Sequence, residues 1–214
     1  MQNQVSDNNS SHQQSNNSWL AELSRTVILS IVLALGIRTF VAEARWIPSG
    51  SMEPTLHGDP NQWQADKIIV DKLSYKFSQP QRGDIVVFNP TQELKREQYQ
   101  DAFIKRVIGL PGEKIELKSG KVYINNKPLL ENKYLSPAQR TVIDVCTSAP
   151  QQPFLSQPVT IPSNSYLVLG DNRNSSYDSR CWGVVPRENI IGRAIIRFWP
   201  LNGIGGIDKT PLYP

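Results

Sequence analysis

The segment Thr26-Val27-Ile28-Leu29-Ser30-Ile31-Val32-Leu33-Ala34-Leu35-Gly36 is a continuous apolar run, and Ile37, Thr39, Phe40 and Val41 extend it past Arg38. A bilayer-spanning helix needs about 20 predominantly apolar residues. Leu23 to Val41 reaches that length if Arg38 snorkels to an interface. Trp19 and Trp46 stand where interfacial aromatics anchor the ends of a span. The run has no polar face, which argues against a helix laid on a soluble core. It predicts a transmembrane anchor helix over residues 19–43 and divides the chain into three parts. Residues 1–18, almost all Asn, Gln, Ser and Asp, are expected to be a disordered polar tail. Residues 44–214 are expected to form one domain. A rival reading takes Ala42-Glu43-Ala44 as a cleavage site and the run as a removable signal peptide. The segment before the run carries a single cation, Arg25, so the uncleaved anchor is the reading carried forward. Arg25 on one flank and Arg38 and Arg45 on the other leave orientation unsettled by charge.

Beyond Trp46 the chain reads as β. Ile68-Ile69-Val70, Ile85 to Phe88, Phe103 to Ile108, Val142-Ile143, Tyr166 to Leu169 and Ile190 to Phe198 are short β-branched or aromatic runs punctuated by Gly, Pro, Asn and Asp. Lys114 to Lys118 and Lys121 to Asn125 alternate around Ser119-Gly120, a two-residue hairpin signal. The expected fold is a mainly β, antiparallel-sheet domain preceded by one transmembrane helix. Residues 133–162 hold five prolines and read as a long irregular surface excursion.

The chain of 214 residues has a net charge of +4, spread along its length, which gives no reason to expect a nucleic-acid partner. Two histidines, His12 and His57, and two cysteines, Cys146 and Cys181, lack metal-ligand spacing, so neither a metal nor a cofactor is expected. The cysteines are compatible with a disulfide and equally with two unpaired buried thiols.

Three polar clusters could carry chemistry. Pro48-Ser49-Gly50-Ser51-Met52-Glu53-Pro54-Thr55-Leu56 places a serine between Gly50 and Met52 in a proline-stiffened loop directly after the anchor. Gly50 would permit a strained backbone. Ser49 and the Ser51 amide could serve a developing oxyanion. A serine hydroxyl needs a base. His12 lies across the apolar segment, and His57 sits in a turn that reads as solvated, so the base is not expected to be histidine. The second cluster, Phe103-Ile104-Lys105-Arg106-Val107-Ile108, sets two cations inside a strand. Arginine effectively never deprotonates, whereas a desolvated lysine does. The third, Gly170-Asp171-Asn172-Arg173-Asn174-Ser175-Ser176-Tyr177-Asp178-Ser179-Arg180, has the makings of a cross-braced polar loop.

These clusters, with Arg82-Gly83-Asp84 and Trp182-Gly183-Val184-Val185-Pro186, resemble the type I signal peptidase family, the serine–lysine leader peptidases, collinearly from Arg38 to Pro200. The single anchor resembles the bacterial and plastid branch. The resemblance implies Ser51 as nucleophile and Lys105 as general base. It implies Ser49 and the Ser51 amide as the oxyanion site, and Ser176 as the residue that orients the Lys105 ammonium. Gly50, Gly170, Asp171, Asp178 and Arg180 would brace the site. Ile47, Met52, Leu56, Phe103 and Ile104 would line shallow pockets for the small residues of Ala-x-Ala. Phe103 and Ile104 point to opposite faces of a regular strand, so both reach substrate only through a bulge or an edge. The partners implied are signal peptides of secretory preproteins and membrane lipid, and the function implied is their removal from exported proteins. The catalytic domain would lie on the trans (periplasmic or lumenal) side, with a cytoplasmic N-terminus. Two other readings are a self-cleaving serine–lysine repressor, which the anchor argues against, and a membrane-tethered β binding domain without catalysis.

Overall fold

A computed structural model describes residues 10–135, 138–147 and 152–207, with side chains from residue 19 onward. The chain divides into two compact units, Met1–Val41 and Ala42–Pro214.

The first unit is one helix, α1, Ser10–Phe40. Its segment Trp19–Phe40 is long and apolar enough to cross a membrane. Twenty-two residues at about 1.5 Å each give about 33 Å, close to the thickness of a hydrocarbon core. Its hydroxyls are satisfied locally: Ser24 donates to the Ala21 carbonyl, Thr26 to Glu22 and Ser30 to Thr26, at 2.8, 2.9 and 2.8 Å. No hydroxyl among these three therefore needs a partner from solvent. Two expected boundaries move. Ser10–Ser18, expected as part of a disordered tail, are helical. Once an apolar segment nucleates a helix, each added residue closes one hydrogen bond for one pair of torsions. Residues 1–9 lie outside the described residues. At the other end the helix stops at Phe40, and Ala42 and Glu43, expected in the anchor, already belong to a strand.

The second unit begins with β1, Ala42–Trp46, followed by β2, Lys67–Asp71, and β3, Ile85–Phe88. A short helix α2, Gln92–Arg96, precedes β4, Phe103–Gly109. Strands β5, Lys114–Lys118, β6, Lys121–Ile124, and β7, Lys127–Pro128, come next, then β8, Val159–Thr160, and β9, Ser165–Leu169. The last elements are α3, Ser179–Trp182, β10, Val185–Pro186, β11, Ile190–Trp199, and β12, Gly205–Gly206. The larger sheet runs β1-β2-β11-β3-β4-β9-β10, with β12 on β11, and the smaller β7-β6-β5-β8. The pairings are antiparallel.

The central strands are buried on both faces, which is why they read as continuous apolar runs rather than alternating ones. In β3, Val86 and Phe88 enter one cluster with Val107, Val168 and Trp182, while Ile85 and Val87 enter another with Ile47, Met52, Leu56, Ile68 and Val70. The smaller sheet packs Ile115, Val122 and Ile124 against Ile108, Leu167 and Leu169 in a third. The β5–β6 hairpin turns at Ser119-Gly120 in register Lys118↔Lys121. Both turn residues have positive φ, 53° and 75°, as a twisted two-residue hairpin requires.

The 133–162 region has little regular structure, but it is more than a surface excursion. Val142-Ile143, expected as a strand, instead leads into the 3-10 turn Asp144–Cys146. Leu155 and Ile161 join the core. Cys146 forms a disulfide with Cys181 of α3, 35 residues away in sequence. A link closing a loop of that length stabilises a fold by about 3–4 kcal/mol in the chain-entropy estimate. Replacing both cysteines by serine is expected to lower the unfolding free energy of the detergent-solubilised protein by roughly that amount. Denaturant titration of wild type and variant measures it, with thiol alkylation confirming that the unreduced wild type has no free thiol.

Candidate active site

The serine loop is held by what it buries. Ser49 is extended, Gly50–Met52 make a single 3-10 turn, and Glu53 returns to extended backbone before Pro54, where a helical conformation would clash with the proline ring. Ile47, Met52 and Leu56 are almost fully buried in the cluster beneath. Ser51 rides on this plug. Met52 and Leu56 were expected to line a substrate pocket; they lie instead in the core, because the tight turn directs the residue after Ser51 inward. Ile47 borders the groove. Gly50 does not use the backbone freedom glycine permits: it is outside the left-handed region, in an ordinary 3-10 turn.

β4 brings the base. Lys105 Nζ lies 2.8 Å from Ser51 Oγ and donates to the Ile104 carbonyl at 3.0 Å. Lys105 is 4% exposed. Burial, the largest influence, pushes its ammonium down to about 8; Asp178 and Asp171 pull it up, and Arg180 pushes it down. An ordinary lysine near 10.5 is neutral about once in several thousand at pH 7; a value near 8 makes that about one in ten. The difference corresponds to roughly 3 kcal/mol of the deprotonation penalty. Ser49 Oγ stands 3.4 Å from Ser51 Oγ. His57 is far more exposed and pairs with Glu53 at 3.0 Å.

The Gly170–Arg180 loop closes the site from the other side. Asp178 caps α3 and takes Arg180 in a two-pronged ion pair at 2.8 and 2.9 Å, both side chains fully buried. Burial alone would raise the Asp178 carboxyl; the Arg180 charge and hydrogen bonds and the Gly170 N–H hold it below the usual carboxylate range. Asp171 binds the neighbour of the base, receiving Arg106 Nε at 2.8 Å and Nη2 at 2.6 Å, with Thr55 donating at 2.5 Å. Gly170 must be glycine: a Cβ there would lie 2.2 Å from Ser176 Oγ and 2.5 Å from the Ser51 carbonyl oxygen. Ser176, expected to hydrogen-bond Lys105, is buried beside Gly170 and Asp178 but makes no well-formed hydrogen bond among the described residues. In this geometry Lys105 directs its donors to Ser51 and Ile104 instead.

Several residues of the site had no individual role in the sequence reading, though Asn172, Arg173 and Tyr177 belong to the Gly170–Arg180 cluster it singled out. Asn172 bonds the serine loop, with its N–H on the Ser51 carbonyl and its Nδ2 on the Gly50 carbonyl. Arg173, fully buried, pairs with Glu131 and donates to Thr141 at 2.5 Å, so the stretch before and into the 133–162 region braces the loop. Glu131 carried no sequence signal, since nothing in its neighbourhood announces a partner forty residues away. Tyr99 and Tyr177 line the groove beside Ser51 together with Phe103, Ile104 and Ser175.

That groove, about 360 Å³, adjoins a second of about 410 Å³ between Glu43–Pro48 and Asp101–Ile104. Phe103 packs with one core cluster and Ile104 with another, as strand alternation demands. Both border the grooves because β4 pairs with β9 only from Arg106 onward, leaving the edge at 103–105 unpaired on that side. The pairing of 103–106 with β3 is regular, so edge geometry and not a bulge resolves the conflict. Among the described residues, no group of three or more His, Cys, Asp or Glu could hold a metal ion.

Removing one partner of a buried pair strands the other charge, at a cost of about 3–5 kcal/mol. Glu131→Ala is therefore expected to destabilise the protein by about that amount by leaving Arg173 unpaired. Chemical denaturation measures the loss.

The family described as signal peptidase, peptidase S26, matches residues 20–199. The signal peptidase I of Leptolyngbya laminosa is 52% identical over 196 residues, covering 91% of this chain and 87% of that protein. The probable signal peptidase I-2 of Synechocystis sp. is 50% identical over 189 residues, 88% of this chain and 77% of that one. The chloroplastic thylakoidal processing peptidase 1 of Arabidopsis thaliana is 33% identical over 185 residues, 84% of this chain and 48% of its own length. A match over most of the length, with identities this high, means that the chain belongs to the signal peptidase family of serine endopeptidases.

Proposed function

We propose that this endopeptidase removes N-terminal signal peptides from exported preproteins, cutting after small residues of the Ala-x-Ala type with a Ser51–Lys105 dyad. Family membership supports the signal peptidase activity. The observation that carries the dyad is the 2.8 Å contact between Ser51 Oγ and a buried lysine whose ammonium is pushed down to about 8.

The substrate would lie extended along the free edge at 103–105 and pair there by main-chain hydrogen bonds. Phe103, Ile104 and Ile47 border the grooves that would receive the small side chains. Neutral Lys105 takes the Ser51 proton as Oγ attacks the scissile carbonyl. The oxyanion that forms meets the Ser51 N–H and the Ser49 hydroxyl. Lys105, now an ammonium, gives its proton to the leaving amine. Ser176, buried beside Asp178 and with no well-formed hydrogen bond among the described residues, is the acceptor that would hold the ammonium in line between these steps. Lys105 then takes a proton from the water that hydrolyses the acyl-enzyme, and Ser51 is regenerated. The Asp178–Arg180 pair keeps the wall behind the lysine rigid.

Signal peptides are presented across a membrane. The Trp19–Phe40 helix would hold the enzyme in that membrane, with the N-terminus cytoplasmic and the catalytic domain on the trans side.

In a detergent assay with a preprotein, Ser51→Ala and Lys105→Ala are each expected to abolish cleavage, while His57→Ala stays within about twofold of wild type. A Lys105→Ala enzyme of near-normal rate would sink the dyad. The base must be neutral, so kcat/KM is expected to rise about tenfold per pH unit up to about 8 and to level off above it. Rates measured from pH 5.5 to 10 test this, since Lys105→Arg, which cannot deprotonate, should be inactive throughout that range.

A further inference from the structure

We infer that Asn172 is a positioning residue that aims the Ser51 N–H at the oxyanion. The inference rests on the reading of Ser51 as nucleophile with its own amide as an oxyanion donor.

Asn172 makes two hydrogen bonds to the nucleophile loop. Its Nδ2 donates to the Gly50 carbonyl at 3.1 Å, and its backbone N–H donates to the Ser51 carbonyl at 3.1 Å. The Gly50 carbonyl and the Ser51 N–H belong to one planar peptide unit. In a trans unit they point in opposite directions, so fixing the carbonyl aims the N–H. The Ser51 carbonyl belongs to the next unit. The two bonds together fix the peptide planes on both sides of the Ser51 Cα, and with them the backbone torsions of the nucleophile. The Glu53 N–H also reaches the Gly50 carbonyl, at 3.2 Å, but it lies in the same turn and would move with it.

What Asn172 is itself attached to makes this a gauge rather than a tether. Asp171, its neighbour, is held by Arg106 on β4. Arg106 follows Lys105. One rigid strand therefore carries the base directly and sets the oxyanion donor through Arg106, Asp171 and Asn172. The loop cannot back away on its other side: a Cβ on Gly58 would lie 1.8 Å from the Ser49 carbonyl oxygen, so backbone packs on backbone there.

Loss of one oxyanion-site donor costs about 10²–10³ in kcat. Asn172 acts through such a donor, so a smaller fall is expected. The test uses the full-length chain in detergent and a preprotein substrate. Asn172→Asp keeps the volume and the backbone bond to Ser51 but removes the Nδ2 donor; Asn172→Ala removes the side chain. Both are expected to lower kcat roughly 10- to 100-fold with KM within about threefold. In Asn172→Ala the acidic limb of the pH profile should stay where it is in wild type. Rates are taken well below each variant's own unfolding midpoint. A kcat within threefold of wild type in both variants would overturn the inference. So would a loss carried by KM, an acidic limb that moves in Asn172→Ala, or failure of both variants to fold. Ser51→Ala separates this from the underlying reading. An inactive Ser51→Ala beside fully active Asn172 variants would defeat the role of Asn172 alone, whereas an active Ser51→Ala would defeat the nucleophile itself.

Discussion

The structure depends on keeping one lysine dry. Lys105 is wrapped by protein, and its hydrogen-bond partners among the described residues are neutral oxygens, the Ser51 hydroxyl and the Ile104 carbonyl. A carboxylate in direct contact would restore its charge. Two carboxylates stand nearby, and each is committed elsewhere: Asp178 to Arg180 and Asp171 to Arg106. The arginines neutralise the acids that would otherwise pair with the lysine. Their own burial is expensive, and it is offset by a full set of partners. Arg180 also donates to the Val142, Arg173 and Ser176 carbonyls, and Arg173 to Glu131, Thr141 and the Gly170 carbonyl. The polar loop after β9 therefore leaves burial free to push the Lys105 ammonium down to about 8, with no carboxylate in direct contact to hold it up.

The same loop links regions that are far apart in sequence. Glu131, just before the irregular 133–162 region, and Thr141, within it, reach the loop, and the Cys146–Cys181 bond fastens that region to α3 directly after Arg180. A segment with five prolines and almost no strand contributes by its ends and its crosslink rather than by secondary structure.

Much of this was legible in the residues. Short β-branched runs between turn residues located β2, β3, β4, β9 and β11, and Ser119-Gly120 located the hairpin, because strand alternation and turn torsions are local properties. The contrast between arginine and lysine chemistry made Lys105 the only one of the two adjacent cations able to deprotonate, and the family resemblance gave it the role of base. What was not legible depends on long-range contact. The inward turn of Met52 and Leu56, the service of Glu131 to Arg173 and the grip of Asn172 on Gly50 follow from how loops dock, and no periodicity encodes docking. The conflict between Phe103 and Ile104 lay in assuming a covered strand; at an unpaired edge, opposite faces border one groove. The start of the β domain was also misplaced by two residues, since Ala42 and Glu43 are as compatible with the end of an apolar helix as with a first strand.

The unpaired edge of β4 sets a limit on length. Three residues of strand extend about 10 Å. A helix offers no free main-chain donors or acceptors to such an edge, whereas an extended segment does. Under the proposed function, that edge would read the extended backbone of a substrate before any of its side chains.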